Sequence, residues 1–174
     1  MSALDDVDEI LEAHSALLGG ERGAPPIENG ARIGASLLRA AVVLVSAGLQ
    51  SSVEQSFKAA LPLTFDHFSE DELRKYWGLC DRWGNPNPAN IRQLFFRIGF
   101  SDVLDGLSWQ KCVNSKIVDL LDEINQIRNR VAHGQPLTVG GRVVRLTKPR
   151  VWRYRNFARV FIQRFEPFVR DQFE

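Results

Sequence analysis

The sequence predicts an all-α fold: a bundle of four to five helices with one small β-hairpin before the last helix. Three observations carry this. Apolar residues recur at steps of three and four through residues 2–18, 29–61, 116–133 and 150–173, the spacing of one buried helix face. Glycine and proline fall between these stretches, where helices stop and loops begin. The segment "LTVGGRVVRL" (137–146) instead alternates around Gly-Gly, as a tight hairpin does.

Each element has its own local signal. Ser2 stands where an N-cap belongs, with acids in the first turn of the helix over 2–18. "GGERGAPPIENG" (19–30) is a loop by its glycines and prolines. The longest helix is expected over 29–61, with Asn29 as its cap and Pro62 as its stop; its nearly all-apolar middle marks the centre of a bundle. Ser69 with Glu72 three residues on fits a capping box for a helix reaching about Trp83. Asn87 then Pro88 open a further helix that Gly99 closes. Residues 101–115 fit a short helix or a turn. The helix over 116–133 ends at Gly134, and the helix over 150–173 meets Pro167, which should kink or fray its end.

A chain of 174 residues suits a single domain, 1–174, with a real core. With 44% apolar and 25% charged residues the composition is that of an ordinary soluble globular protein, and a net charge of +1 points to neither nucleic acid nor membrane. The charge is unevenly spread, however. Residues 1–30 hold seven acids and one base, whereas 142–170 hold nine bases and one acid. Such asymmetry marks either an anion-binding face or two solvated faces that attract each other. Cys80 and Cys112 are too few for a disulfide framework or a zinc site, so a reduced, cytoplasmic setting is expected. The acidic N-terminus lacks the basic start of a signal peptide. The apolar run at 40–49 is far short of the roughly 20 residues of a membrane span, so no membrane partner is expected.

One helix breaks its own pattern. Wound at about 100° per residue from Arg128, the 116–133 stretch places Leu121 near 20°, Ala132 near 40°, Ile117 near 340° and Ile124 near 320°. Arg128 therefore falls inside the apolar arc. Asn125, Asn129 and His133 line one edge of it, near 60°, 100° and 140°. A guanidinium keeps its charge and is rarely buried alone. Arg128 either snorkels outward along its stem, pairs with a buried acid, or meets an anion in a wet cleft against a second subunit. His133, before a glycine cap, also complements the helix dipole.

"RNRVAHG" (128–134) resembles the Arg-polar-x-x-x-His motif of the higher eukaryotes and prokaryotes nucleotide-binding (HEPN) superfamily. The likeness extends through "ASLLRAAVVLVSAGLQSSVEQSF" (35–57), "NPNPANIRQLFFRIGF" (85–100) and "VDLLDEINQIRNRVAHG" (118–134), whose order and spacing are similar to the RiboL-PSP-HEPN branch over about residues 30–135. The resemblance implies a four- or five-helix HEPN-like bundle that dimerises and brings two copies of the motif together. It implies a metal-independent endoribonuclease of the toxin or phage-defence type; the alternative is a non-catalytic dimeric module that binds RNA or protein. Arg128, Asn129 and His133 match the motif residue by residue. The branch often carries a glutamate where this chain has Gln50, and Glu54 lies one turn later, so both are candidate auxiliary residues.

The residue types suit the chemistry. RNA carries its own nucleophile, the 2′-OH. Cleavage then needs proton transfer, for which a histidine with an ordinary pKa of about 6.5 is fitted, and charge stabilisation, for which an arginine fork is fitted. Asn129, one turn before His133, is placed to orient the imidazole or bond the ribose-phosphate. Arg130, Arg142, Arg145 and Lys148 are the expected RNA-steering cations. No cofactor or metal is expected, since His14 and His67 lack partners at ligand spacing. The resemblance also implies a candidate partner, an antitoxin or another defence-system protein. "GGERG" lacks the lysine of a phosphate loop. Trp77, Trp83, Trp109 and Trp152 are expected as core or interface anchors, and the two cysteines as buried small apolar groups.

Overall fold

A computed structural model describes residues 2–19, 25–28 and 31–173. Four long helices form the bundle: α1 (Ala3–Leu17), α2 (Ala35–Thr64), α5 (Asn114–Ala132) and α6 (Lys148–Asp171). Two short ones, α3 (Glu70–Trp77) and α4 (Pro88–Phe96), bridge α2 to α5, with a single 3₁₀ turn (Cys80–Arg82) between them. Two hairpins of two-residue strands complete the fold: β1 (Ile27–Glu28) with β2 (Ala31–Arg32), and β3 (Thr138–Val139) with β4 (Arg142–Val143). The predicted all-α bundle is the fold observed.

α2 is the axis. It packs on α1, α5 and α6 and touches α3 and α4. Leu38, Val42, Val45, Leu49, Val53, Phe57 and Leu61 are buried along its whole length. By length and composition α2 also matches a membrane-crossing helix, yet these apolar residues are covered by neighbouring helices. Small residues let those neighbours come close; a Cβ on Gly48 would stand 3.6 Å from Leu4. Phe57 meets Phe95 edge-on at 5.5 Å, and Phe95 meets Phe165 at 5.6 Å, so α2, α4 and α6 share one aromatic core. Truncating a buried phenylalanine such as Phe57 to alanine costs about 3–5 kcal/mol.

The local signals hold where they are local. Ser2 caps α1 and Ser69 caps α3, each in a reciprocal capping box. The Asn87 side chain accepts the Asn90 N–H, with Pro88 at the first helical position. Gly140 and Gly141, at φ of 54° and 76°, make the predicted hairpin turn.

Three boundaries differ from expectation. α2 starts at Ala35, because the chain first makes the β1–β2 hairpin and Gly34 takes a left-handed φ of 75°; Asn29, the expected cap, lies outside the described residues. α2 also runs through Pro62 to Thr64. A proline forfeits its own bond to the residue four back and crowds that residue's carbonyl, but the helix carries on near its end, where the Phe65 N–H on Leu61 O closes the turn beyond it. The helix after Ser69 ends at Gly78 rather than Trp83. α6 spans Pro167, as its helical spacing predicts, and ends at Asp171. Residues 101–113 are turns with one bridge between Trp109 and Cys112. Cys80 and Cys112 are buried, as is Trp83, whereas Trp152 is exposed.

Candidate functional site

The polar strip on α5 runs from the core to the surface. Ile117, Leu121, Ile124 and Ile127 anchor the helix in the core, and Asn125 beside them is only 7% exposed. The last turn outruns the core: Arg128 and Asn129 are half-buried, and Arg130, Ala132 and His133 are exposed. Arg128 thus sits in the apolar arc at the level where that arc ends. It pairs with no acid among the described residues. Among the described residues its one side-chain bond is from Nη1 to Asn129 Oδ1, at 3.1 Å.

His133 is the C-cap of α5, its N–H on Asn129 O at 3.0 Å. Gly134 follows at φ 62°, and the Gln135 N–H returns to Arg130 O at 2.8 Å. This closure satisfies end carbonyls and holds His133 at the negative end of the helix. The imidazole itself makes no hydrogen bond to the described residues, so both ring nitrogens are available to a ligand.

A second group of residues reaches the strip from α2. Gln50 Nε2 donates to Glu54 Oε1 at 3.1 Å, and the same oxygen accepts the Trp83 indole N–H at 3.1 Å. Two residues beyond Trp83, Asn85 Nδ2 donates to Asn129 Oδ1 at 2.9 Å. Gln50 and Glu54 therefore connect to the motif through the 83–85 loop, and the Glu54 carboxylate is engaged within the fold. Sequence reasoning placed Asn125 on the polar strip but missed Asn85. The "NPNPAN" stretch marked a loop and a cap, but nothing local marks a bond spanning 44 positions.

The cations expected to steer RNA are dispersed. Arg130 Nη1 donates to Gln135 Oε1 at 2.9 Å and stays beside the motif. Arg142 and Arg145 are exposed on and after β4, and the β3–β4 turn rests on α5 through Gly140 N–H to Gln126 Oε1 at 3.3 Å. Lys148 instead bonds the Ser15 hydroxyl on α1. Other bases of the 142–170 segment are neutralised within the chain. Arg155 pairs with Asp8. Arg150 and Arg153 meet Glu123 at 2.7 and 3.3 Å. Part of the charge asymmetry thus serves to clasp α6 to α1 and α5.

The Glu123 cluster perturbs its members. Burial works to raise the Glu123 carboxyl, but the Tyr154 hydroxyl and the Arg150 guanidinium outweigh it and hold that carboxyl below its usual range. Burial together with the Glu123 acceptor pushes the Tyr154 hydroxyl up to about 12. Among the described residues no three His, Cys, Asp or Glu side chains converge as a cation site.

A family model, RiboL-PSP-HEPN, matches residues 3–170. The chain belongs to this family. Comparison with curated proteins and with solved structures returned no significant match. HEPN membership accounts for the all-α bundle and places the chain among domains that act as ribonucleases or RNA-binding modules and commonly dimerise. In this HEPN chain the Arg-x-x-x-x-His motif closes the fifth helix, half in and half out of the core.

Proposed function

We propose that this HEPN chain is a metal-independent endoribonuclease of the toxin or phage-defence type, acting in the cytoplasm. Two copies meet along the last turns of α5 and cleave RNA in the cleft between them. One observation carries this reading: a half-buried guanidinium lies on the same helix end as an exposed imidazole, and among the described residues the first has no acid partner and the second no hydrogen bond. A fully buried arginine is almost always paired; at the core's rim this guanidinium reaches solvent, where it can meet an anion.

The step is 2′-OH transesterification. His133 of one copy takes the 2′ proton, and the 2′ oxygen bonds to phosphorus. The bond from phosphorus to the 5′ oxygen breaks, and His133 of the other copy protonates the leaving oxygen. The products are a 2′,3′-cyclic phosphate and a 5′-hydroxyl. Arg128 stabilises charge on the non-bridging oxygens, and Asn129 holds the ribose-phosphate. Arg130, Arg142 and Arg145 draw RNA inward. An antitoxin or another defence protein would act by covering the cleft.

A second reading, a dimeric HEPN module that binds RNA or protein without cutting, is favoured by one observation: Glu54 Oε1 is taken up by Trp83 and Gln50. The two readings separate in one assay. RNA is incubated with the protein in EDTA. Cleavage by the native chain that falls at least about 100-fold in Arg128→Ala and His133→Ala supports the ribonuclease. RNA binding without cleavage, weakened by Arg128→Ala, supports the module. Equal cleavage by native and His133→Ala protein refutes the ribonuclease.

A further inference from the structure

The loop between the 3₁₀ turn and α4 is built around one side chain. The Asn85 backbone carbonyl accepts two bonds, from the Asn87 N–H at 2.8 Å and from Asn90 Nδ2 at 2.9 Å. Asn90 is itself fixed, its N–H on Asn87 Oδ1 at 2.8 Å. Gly84, at φ 93°, allows the turn, and any Cβ there would stand 2.8 Å from Asn90 Nδ2. Pro86 and Pro88 are buried. On the other side, Trp83 is tied to Glu54 on α2. Every one of these restraints acts on backbone or on neighbours. The Asn85 side chain makes the loop's hydrogen bond to the motif among the described residues.

What it does there follows from donor and acceptor arithmetic. Asn129 Oδ1 accepts from Asn85 Nδ2 at 2.9 Å and from Arg128 Nη1 at 3.1 Å. A guanidinium only donates, so an inverted Asn129 amide would set N–H against N–H. With both lone pairs of Oδ1 taken, the Asn129 NH₂ faces away from Arg128 as a donor pair. We infer that Asn85 is a positioning residue: it locks the Asn129 amide with its NH₂ presented to an RNA oxygen, and through that shared oxygen fixes Arg128 where it meets the phosphate. The inference rests on the ribonuclease reading for its catalytic consequence, but the amide orientation stands apart from it.

Two variants test this without dismantling the loop, because the loop is held through the Asn85 carbonyl rather than its side chain. Asn85→Ala removes the donor. Asn85→Asp keeps the shape but replaces the donor by a carboxylate, which repels Asn129 Oδ1 and draws Arg128 to itself. In RNA cleavage, kcat is expected to fall about 10- to 100-fold in Asn85→Ala, the scale of a misplaced catalytic group, and further in Asn85→Asp, with KM within about twofold. The companion measurement is NMR of the Asn129 side-chain NH₂, assigned by its loss in Asn129→Ala. The native signal should be rigid; in Asn85→Ala it should shift and gain fast motion. An unchanged, equally rigid signal in Asn85→Ala overturns the inference, as does a cleaving native protein whose kcat survives both variants. A native protein that cleaves nothing refutes the ribonuclease reading instead, and the Asn129 signal still decides this one.

Discussion

The Trp83 indole N–H donates to Glu54 Oε1 across 3.1 Å, joining the loop before α4 to the centre of α2. Trp83 is only 5% exposed, so this donor is well shielded from water. Hydrogen bonds to a charged acceptor contribute about 1.5–3 kcal/mol. Trp83→Phe keeps most of the apolar contact and loses the donor. Urea unfolding of Trp83→Phe should show a loss of about 1–3 kcal/mol. A native-like midpoint would mean that water replaces the indole at Glu54.

The Tyr154–Glu123–Arg150 cluster predicts losses of stability at both ends of the pH scale. In the fold the Tyr154 hydroxyl is pushed up to about 12 from an ordinary 10.0. Below pH 10 both states carry that proton and the stabilisation is complete. As the pH rises from about 10 towards about 12 the unfolded chain ionises first, so stability falls. Glu123 is displaced downward from 4.5; its contribution is present above that value and is lost as the pH falls through the lower folded value. Tyr154→Phe should flatten the alkaline limb in thermal melts recorded from pH 8 to 12. An alkaline limb of unchanged steepness would show that Tyr154 is not its source.

How much of this was legible in the sequence follows from the range of each interaction. Ser2, Ser69 and Asn87 announced helix starts because a cap bonds only two or three residues ahead. The Arg128–Asn129–His133 motif was visible because all three lie on one helix end. The late start of α2 was not, since it depends on Gly34 at positive φ packed against His14, a contact between helices. Nor was the early end of α3, where the periodic pattern continues past Gly78 but the chain turns. Arg128 looked anomalous on a helical wheel because a wheel records angle and not depth. The position lies at the core's rim, where half-burial is possible. Asn85 on Asn129 and Tyr154 on Glu123 join distant segments, and only the packed bundle brings them together.

His14 is buried to 3% exposure on the last turn of α1, with neither ring nitrogen bonded to the described residues. Burial and then the Lys148 charge lower its pKa from 6.5. The fold therefore disfavours the imidazolium form. Its contribution is complete above about pH 6.5 and is lost as the pH falls below that value, because the unfolded chain takes up the proton first. Melting temperatures of the native protein should decline between pH 7 and 5, and His14→Leu should decline less. Parallel declines would place the acid sensitivity elsewhere.

Gly84→Ala offers a test of whether the loop acts as a platform or merely as a connection. At φ 93° an alanine is strained, and its Cβ would lie 2.8 Å from Asn90 Nδ2. The strain alone costs about 1–3 kcal/mol. The close contact adds a directed effect, since it pushes the Asn90 amide off the Asn85 carbonyl that it holds at 2.9 Å. Asn90→Ala removes that same bond without backbone strain, at about 0.5–1.5 kcal/mol. If the bond to Asn85 matters to the motif, both variants should lower RNA cleavage at temperatures where both remain folded, although Gly84→Ala is the less stable of the two. Native cleavage by Asn90→Ala at those temperatures would show that the loop needs only to be folded and not to be clamped.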